Sequence, residues 1–288
     1  MRSNIQRQSK SFAERQRRRK AIGAIAGILA LASWMFVAVK LVSLPVFAIN
    51  TVEIYGSEPD AIPAMQAAAM NALNGSYIGV FSKANTFIYP KGDVATEVAS
   101  ASPLVSTVKV RRSGLNTLIV SVGERSPSAV VCADLPDLSD IDDGSPSTNC
   151  YLADETGFAY KRVLDADVRQ YNRYYFPDMP SQVGRFATTS ADWKKLQVLV
   201  DSIKSAGIGV QSLLVKGGGE YELYALNPTG GSIVVIHMNE KAGLDTEKDN
   251  LVAFWQKVTS QARSKGAILE WNDIKLQYPP NVYYTEVK

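Results

Sequence analysis

The sequence predicts an α+β protein: a single N-terminal transmembrane helix, a small β-α-α-β-β domain, and a larger β-rich domain with two helices. Three observations carry this. An uncharged run, residues 21–39, stands directly behind a basic tail. A strand-helix-helix-strand-strand order then fills about 75 residues, and a series of short alternating segments follows, interrupted by two stripes of helical period. The first twenty of the 288 residues hold eight basic side chains against one acid, Glu14. Arg17, Arg18, Arg19 and Lys20 close the tail at the edge of the apolar run, which by the positive-inside rule places residues 1–20 in the cytoplasm. Nineteen uncharged residues at about 1.5 Å each make a helix of roughly 28 Å, against a hydrocarbon core of about 30 Å. A span over 21–45 follows, with Lys40 snorkelling to the far interface and Pro45 ending it. A retained anchor is favoured over a cleaved export signal. A signal's apolar stretch runs about 7 to 15 residues, and Val46-Phe47-Ala48 is a poor small-x-small site.

Without the tail and Lys40, the chain has 22 basic and 27 acidic residues, a net charge of −5 where the whole chain carries +3. The basic character therefore belongs to the tail, and no basic patch for nucleic acid is visible beyond it. In the first exported segment, 47–124, Val52 and Ile54 alternate with polar neighbours as a strand that Gly56 stops. Asp60 is placed to cap a helix whose stripe is Ile62, Met65, Ala69 and Leu73, ending at Asn74-Gly75. Asp93 is placed to cap a second, with Val94, Val98 and Ala101 on one side and Pro103 ending it. Two strands follow, STVKVRR and NTLIVSV, with Val108 and Val110, then Leu118, Val120 and Val122, as their apolar faces. Both helices belong on one face of this sheet.

The second segment, 125–288, opens with SAVVC and CYLADETGFAYK around an acidic loop, 133–149, with aspartates at 134, 137, 140, 142 and 143. Antiparallel pairing of these strands sets Cys132 opposite Cys150 at the loop's base. A disulfide and two free thiols both fit that placement. The loop's Asp-Asp-Gly does not match the alternating ligand spacing of a calcium loop, so a solvated insertion is expected. Thr189 to Asp192 resembles a capping box ahead of Trp193, Leu196, Val200 and Ile203. VQSLLVK and EYELYAL flank Gly217-Gly218-Gly219 as a hairpin, and GSIVVIHM follows a turn at Asn227. A helix over 246–264 shows Leu251, Phe254, Val258 and Ala262. The end, NDIKLQYPPNVYYTEVK, reads as strand, Pro-Pro turn, strand.

Catalytic patterns are sparse. The one histidine, His237, falls in a strand, where a structural role is expected. HExxH, GxSxG and Walker patterns do not occur, and no metal or other cofactor is implied. Ser106-Thr107-Val108-Lys109 spells S-x-x-K, but that signature needs a helix to bring Ser and Lys to one face, and in a strand the two point oppositely. Gly217 to Gly219 lacks a following helix to present amides to phosphate.

Taken together, the anchor, FAINTVEIYG, SPLVSTVKVRRSGLNTLIVSVGERSPSAVV and CYLADETGFAYKR resemble, in order and spacing, the FtsQ/DivIB family of bacterial cell-division proteins. The resemblance covers nearly all of residues 15–288. It implies a POTRA domain for 47–124, a junction at Glu124-Arg125-Ser126-Pro127, and an FtsQ-type β-domain for 125–288. It further implies a non-enzymatic bitopic scaffold of the divisome that binds FtsB/FtsL-like coiled-coil partners and links them to septal cell-wall synthesis. The expected location is the bacterial cell membrane at the septum, single-pass, with the C-terminal domains outside the cytoplasm. Recognition by strand addition puts the partner site at the terminal edge: Lys275, Leu276, Gln277, Tyr278, Tyr283 and Tyr284. Here the sequence departs from the family's aspartate-leucine-arginine-tyrosine stretch, sharing only Leu276 and Tyr278. Ordinary sheet packing competes for each tyrosine. Rival readings are a membrane-tethered cell-wall hydrolase or transferase, and a secretion protein, which would carry tandem POTRA copies before a β-barrel.

Overall fold

The computed structural model describes residues 3–42, 44–79, 81–135, 149–163, 170–229, 231–265 and 268–287. Helix α1, Ser3–Val42, contains a stretch, Gln16–Val42, long and apolar enough to cross a membrane, with a mean hydropathy of 2.3 in its best window and none of that window buried by protein. The helix stops three residues short of Pro45, which instead begins a one-turn 3-10 helix, Pro45–Phe47. The chain then divides into two compact units, 1–123 and 124–288.

In the first unit, β1 (Thr51–Tyr55) pairs in parallel with β5 (Thr117–Glu124), and β4 (Val105–Ser113) lies on β5's other side. A minor hairpin, β2 (Ser76–Tyr77) and β3 (Phe81–Ser82), separates helices α2 (Ile62–Ala72) and α3 (Lys91–Ser100). The expected stripes converge on one core: Met65, Ala69 and Leu73 meet Val94, Val98, Leu118 and Val120. Neither expected cap forms. Asp60 sits in a 3-10 turn, Pro59–Ala61, that leads into α2, and Asp93 lies in the first turn of α3, where its charge faces the helix's unpaired N–H groups without capping them. Gly56 ends β1 at φ +89°, and a Cβ there would stand 2.3 Å from the Val122 carbonyl oxygen, so the chain can turn only with glycine.

In the second unit, ten described strands form one sheet. In sheet order these are β10 (Arg185–Phe186), β8 (Phe158–Arg162), β7 (Cys150–Ala153), β6 (Ala129–Cys132), β9 (Asn172–Tyr175), β11 (Val210–Lys216), β12 (Glu220–Leu226), β13 (Ile233–Asn239), β14 (Trp271–Lys275) and β15 (Tyr283–Glu286). Helices α4 (Ser190–Ser205) and α5 (Leu244–Lys265) contribute Trp193, Leu196, Val200, Ile203, Leu251 and Trp255 to the main core. The expected cap of α4 is present: Thr189 Oγ1 accepts from the Asp192 N–H at 3.2 Å. Trp193 donates from Nε1 to the Glu155 carbonyl at 3.1 Å. A smaller apolar cluster contains Val130, Leu214, Tyr224 and the two cysteines.

Cys132 and Cys150 pair directly across β6 and β7, and the structure joins them in a disulfide with Cα atoms 4.1 Å apart. Ala133 N donates to Asn149 O, so the cysteines occupy the neighbouring non-hydrogen-bonded position, where opposed side chains come closest. Of the acidic loop's aspartates, only Asp134 lies within the described residues, accepting from Asn149 Nδ2 at 2.9 Å. The expectations for 137, 140, 142 and 143 lie outside the described residues.

Candidate partner-binding edge

Among the described residues, the sheet of the second unit ends at β15, which pairs with β14 alone. Strand β14 is laid parallel to β13 after the α5 crossover, with Ile236 opposite Ile274 and His237 opposite Lys275. Its start is held by the turn after β12. Buried Asn227 accepts from Trp271 N and donates to Trp271 O, both at 2.9 Å, and Thr229 Oγ1 binds both backbone groups of Leu269. The sequence showed Asn227 only as a turn residue, because the partner it clamps is 44 positions away.

β15 returns antiparallel through the Pro-Pro turn, opposing Lys275 to Tyr283, Ile274 to Tyr284 and Asp273 to Thr285. Val287 N donates inward to Glu270 O. By strand alternation, the N–H groups of Tyr284 and Glu286 point away from β14, at the open edge. All four residues of β15 are exposed.

The expected site residues separate onto two faces. On the face opposite the helices, Lys275 pairs with Asp273 at 3.4 Å, and the rings of Tyr278 and Tyr283 meet edge-on with centroids 6.2 Å apart. A hydrogen bond from Thr285, joined by one from Lys275, holds the Asp273 carboxyl below the usual carboxylate range against a smaller opposing effect of burial. The polar line continues inward: His237 Nδ1 lies 3.2 Å from Glu222, which also bonds Lys216 and accepts from Tyr224 at 3.0 Å. For Glu222, burial raises the pKa, but the bonds from Lys216 and Tyr224 outweigh it and leave the group lowered. His237 lies in a strand, β13, as expected.

On the helix side, the Tyr284 ring meets that of Phe254 of α5 at a tilt, centroids 5.4 Å apart, and that of Trp271 edge-on at 6.2 Å, while remaining half exposed. Leu276 does not belong to the surface: it is 1% exposed, packed in the main core. Leu276 lies two residues beyond buried Ile274, with exposed Lys275 between them, so strand alternation turns it to the core face and not to the open edge. Gln277 is half-buried. Trp271, Phe254 and Asp273 support the edge and were missed; only the crossover brings them together.

Elsewhere, Ser106 and Lys109 lie in β4, three residues apart along a strand and so on opposite faces. A groove between α4 and α5 is lined by Lys195, Val198, Leu199, Leu244 and Lys248, away from the edge. Among the described residues, no group of three or more His, Cys, Asp or Glu could hold a metal ion. Comparison with protein-family models and with curated proteins finds no match.

Proposed function

We propose that this chain is a non-enzymatic, bitopic membrane scaffold of FtsQ/DivIB type, which recruits FtsB/FtsL-like coiled-coil partners to septal cell-wall synthesis in bacteria. The observation that carries the reading is β15: an exposed strand at the end of a ten-stranded sheet, with outward N–H groups at Tyr284 and Glu286. An extended partner segment adding there gains main-chain hydrogen bonds, and Lys275, Tyr278 and Tyr283 on one face and Tyr284 on the other supply side-chain selection. Supporting features are the first unit's strand-helix-helix-strand-strand order, consistent with a POTRA domain, and the Cys132–Cys150 bond, which suits an oxidising compartment outside the cytoplasm. The basic tail, ending in Arg17 to Lys20, favours an N-terminus in the cytoplasm.

Capture by the full-length protein from membranes of its host tests this, alongside two variants. Glu286→Pro removes an outward donor and leaves the inward ladder intact, and Tyr283→Ala trims one aromatic. Recovery of small single-span coiled-coil division proteins by the native chain, with recovery falling in both variants, is the expected result. Equal recovery by all three would move the site off the edge. Recovery of no division protein would end the division reading.

A further inference from the structure

The residues where α1 leaves the membrane are tied to two loops of the first unit by side chains that the strand-and-helix pattern does not explain. Buried Asn85 donates from Nδ2 to the Val42 carbonyl at 2.7 Å, and its Oδ1 accepts from Phe87 N at 2.9 Å. Thr86 N donates to Phe47 O at 2.8 Å. From the other loop, Asn116 Nδ2 donates to the carbonyls of Val46 and Ala48, at 3.1 and 3.0 Å. From β4, Arg112 holds the first loop as well, donating to Thr86 O at 3.4 Å with its guanidinium 5.7 Å from the Phe87 ring centroid.

These ties set the depth of what they hold. The uncharged run ends at Val39, and Val42 lies only three residues further, about 4.5 Å along the helix. The headgroup layer is about 5 to 7 Å thick on each side of the hydrocarbon. Asn85, within hydrogen-bonding distance of Val42, therefore stands in that layer, and so do its near neighbours. The side chains presented there are apolar: Leu44, Val46, Phe87, Ile88 and Leu115 are each between 39% and 55% exposed, and the Phe87 ring lies 5.2 Å from that of Phe47. Exposed apolar side chains beside a cation are what an interfacial surface shows.

We propose that this end of the first unit, around Phe87 and Leu115, inserts into the headgroup layer of the same bilayer that α1 crosses, with Arg112 placed for lipid phosphate. The contact makes the anchor and the first unit one membrane-seated body. It rests on the reading of α1 as a membrane span.

The test uses the full chain carrying Phe87→Cys, Leu115→Cys or, for the span itself, Ala30→Cys, each labelled with an environment-sensitive fluorophore while the native disulfide stays closed. The proteins are reconstituted in vesicles of phosphatidylcholine and phosphatidylglycerol containing lipid spin-labelled either high or low on the acyl chain. The expected result is loss of emission at 87 and 115 with the shallow quencher, at 30 with the deep one, and protection of all three from aqueous iodide. Quenching at 30 with iodide-accessible labels at both 87 and 115 overturns the proposal and leaves the anchor standing. A label at 30 that iodide reaches overturns both. Two independent loop positions guard against one substitution disturbing its own surroundings.

Discussion

Asp154 shows how much one buried carboxylate can organise. Its Oδ1 accepts from Thr156 N at 2.9 Å, Thr156 Oγ1 at 2.6 Å and Phe158 N at 3.2 Å, while Oδ2 bonds Arg125, whose guanidinium lies 4.2 Å from the Phe158 ring centroid. Burial raises the pKa of this group, but the bonds from Thr156, Arg125 and Phe158 together outweigh it and hold the carboxyl below its ordinary value. The turn also needs Gly157, at φ +80°, because a Cβ there would stand 2.7 Å from the Trp193 ring. A folded-state pKa below the unfolded one stabilises above the unfolded value, and that contribution is lost as pH falls through the folded value. Asp154→Asn is therefore expected to cost about 2 kcal/mol at neutral pH. The gap to wild type should narrow below about pH 4. Urea denaturation at several pH values, followed by tryptophan fluorescence, checks this. A gap independent of pH would assign the loss to shape rather than charge. CYLADETGFAYK was read as one strand, but the structure breaks it at this turn into β7 and β8, and the Arg125 bond into the turn spans 29 positions.

At the scale of elements, the edge pair β14 and β15 depends on contacts made far from it in sequence. Asn227→Ala deletes both bonds to Trp271 and leaves a buried N–H and C=O unpaired, for an expected loss of about 3 kcal/mol. The damage should be local first: amide exchange in β14 and β15 is expected to accelerate more than in β6 or β9, and uniform acceleration across the sheet would refute the clamp. At the sheet's other side, the disulfide closes a loop with a sequence separation of 18, worth about 3 kcal/mol in the chain-entropy account. Its placement was legible because strand register is simple arithmetic once two strands are adjacent. The burial of Leu276 was not read, because the terminal residues were taken as one exposed edge without assigning each to a face of the strand.

For the whole molecule, the proposed orientation rests on charge asymmetry about the apolar helix. The tail concentrates positive charge that the chain without the tail and Lys40, at −5, lacks. Replacing Arg17, Arg18, Arg19 and Lys20 with Gln is expected to let a sizeable fraction of chains insert with the tail outside, scored by thiol labelling of a cysteine introduced at Ser11 in intact cells. Unchanged inaccessibility of that cysteine would show that another feature sets the topology.

The presence of the membrane-length helix, the two-unit α+β division, the core stripes of α2, α3 and α4 and the opposition of Cys132 to Cys150 were determined by the sequence alone; in α5, Trp255 was missed while Phe254 and Val258 are only partly buried. Each is a periodic or local property, written in residues a few positions apart or in one strand pair. The caps at Asp60 and Asp93 were misread because helix starts are decided within one or two residues by backbone bonds that propensity does not resolve. Tertiary structure alone decided the strand order of the ten-stranded sheet, the division of the edge residues into two faces and a buried leucine, and the Asn85 and Asn116 ties at the end of α1. For the two ties, as for the Asn227 clamp, the reason is the same: a hydrogen bond between residues about 40 to 70 positions apart leaves no periodic trace, since either partner reads locally as an ordinary loop residue until the chain folds back on itself.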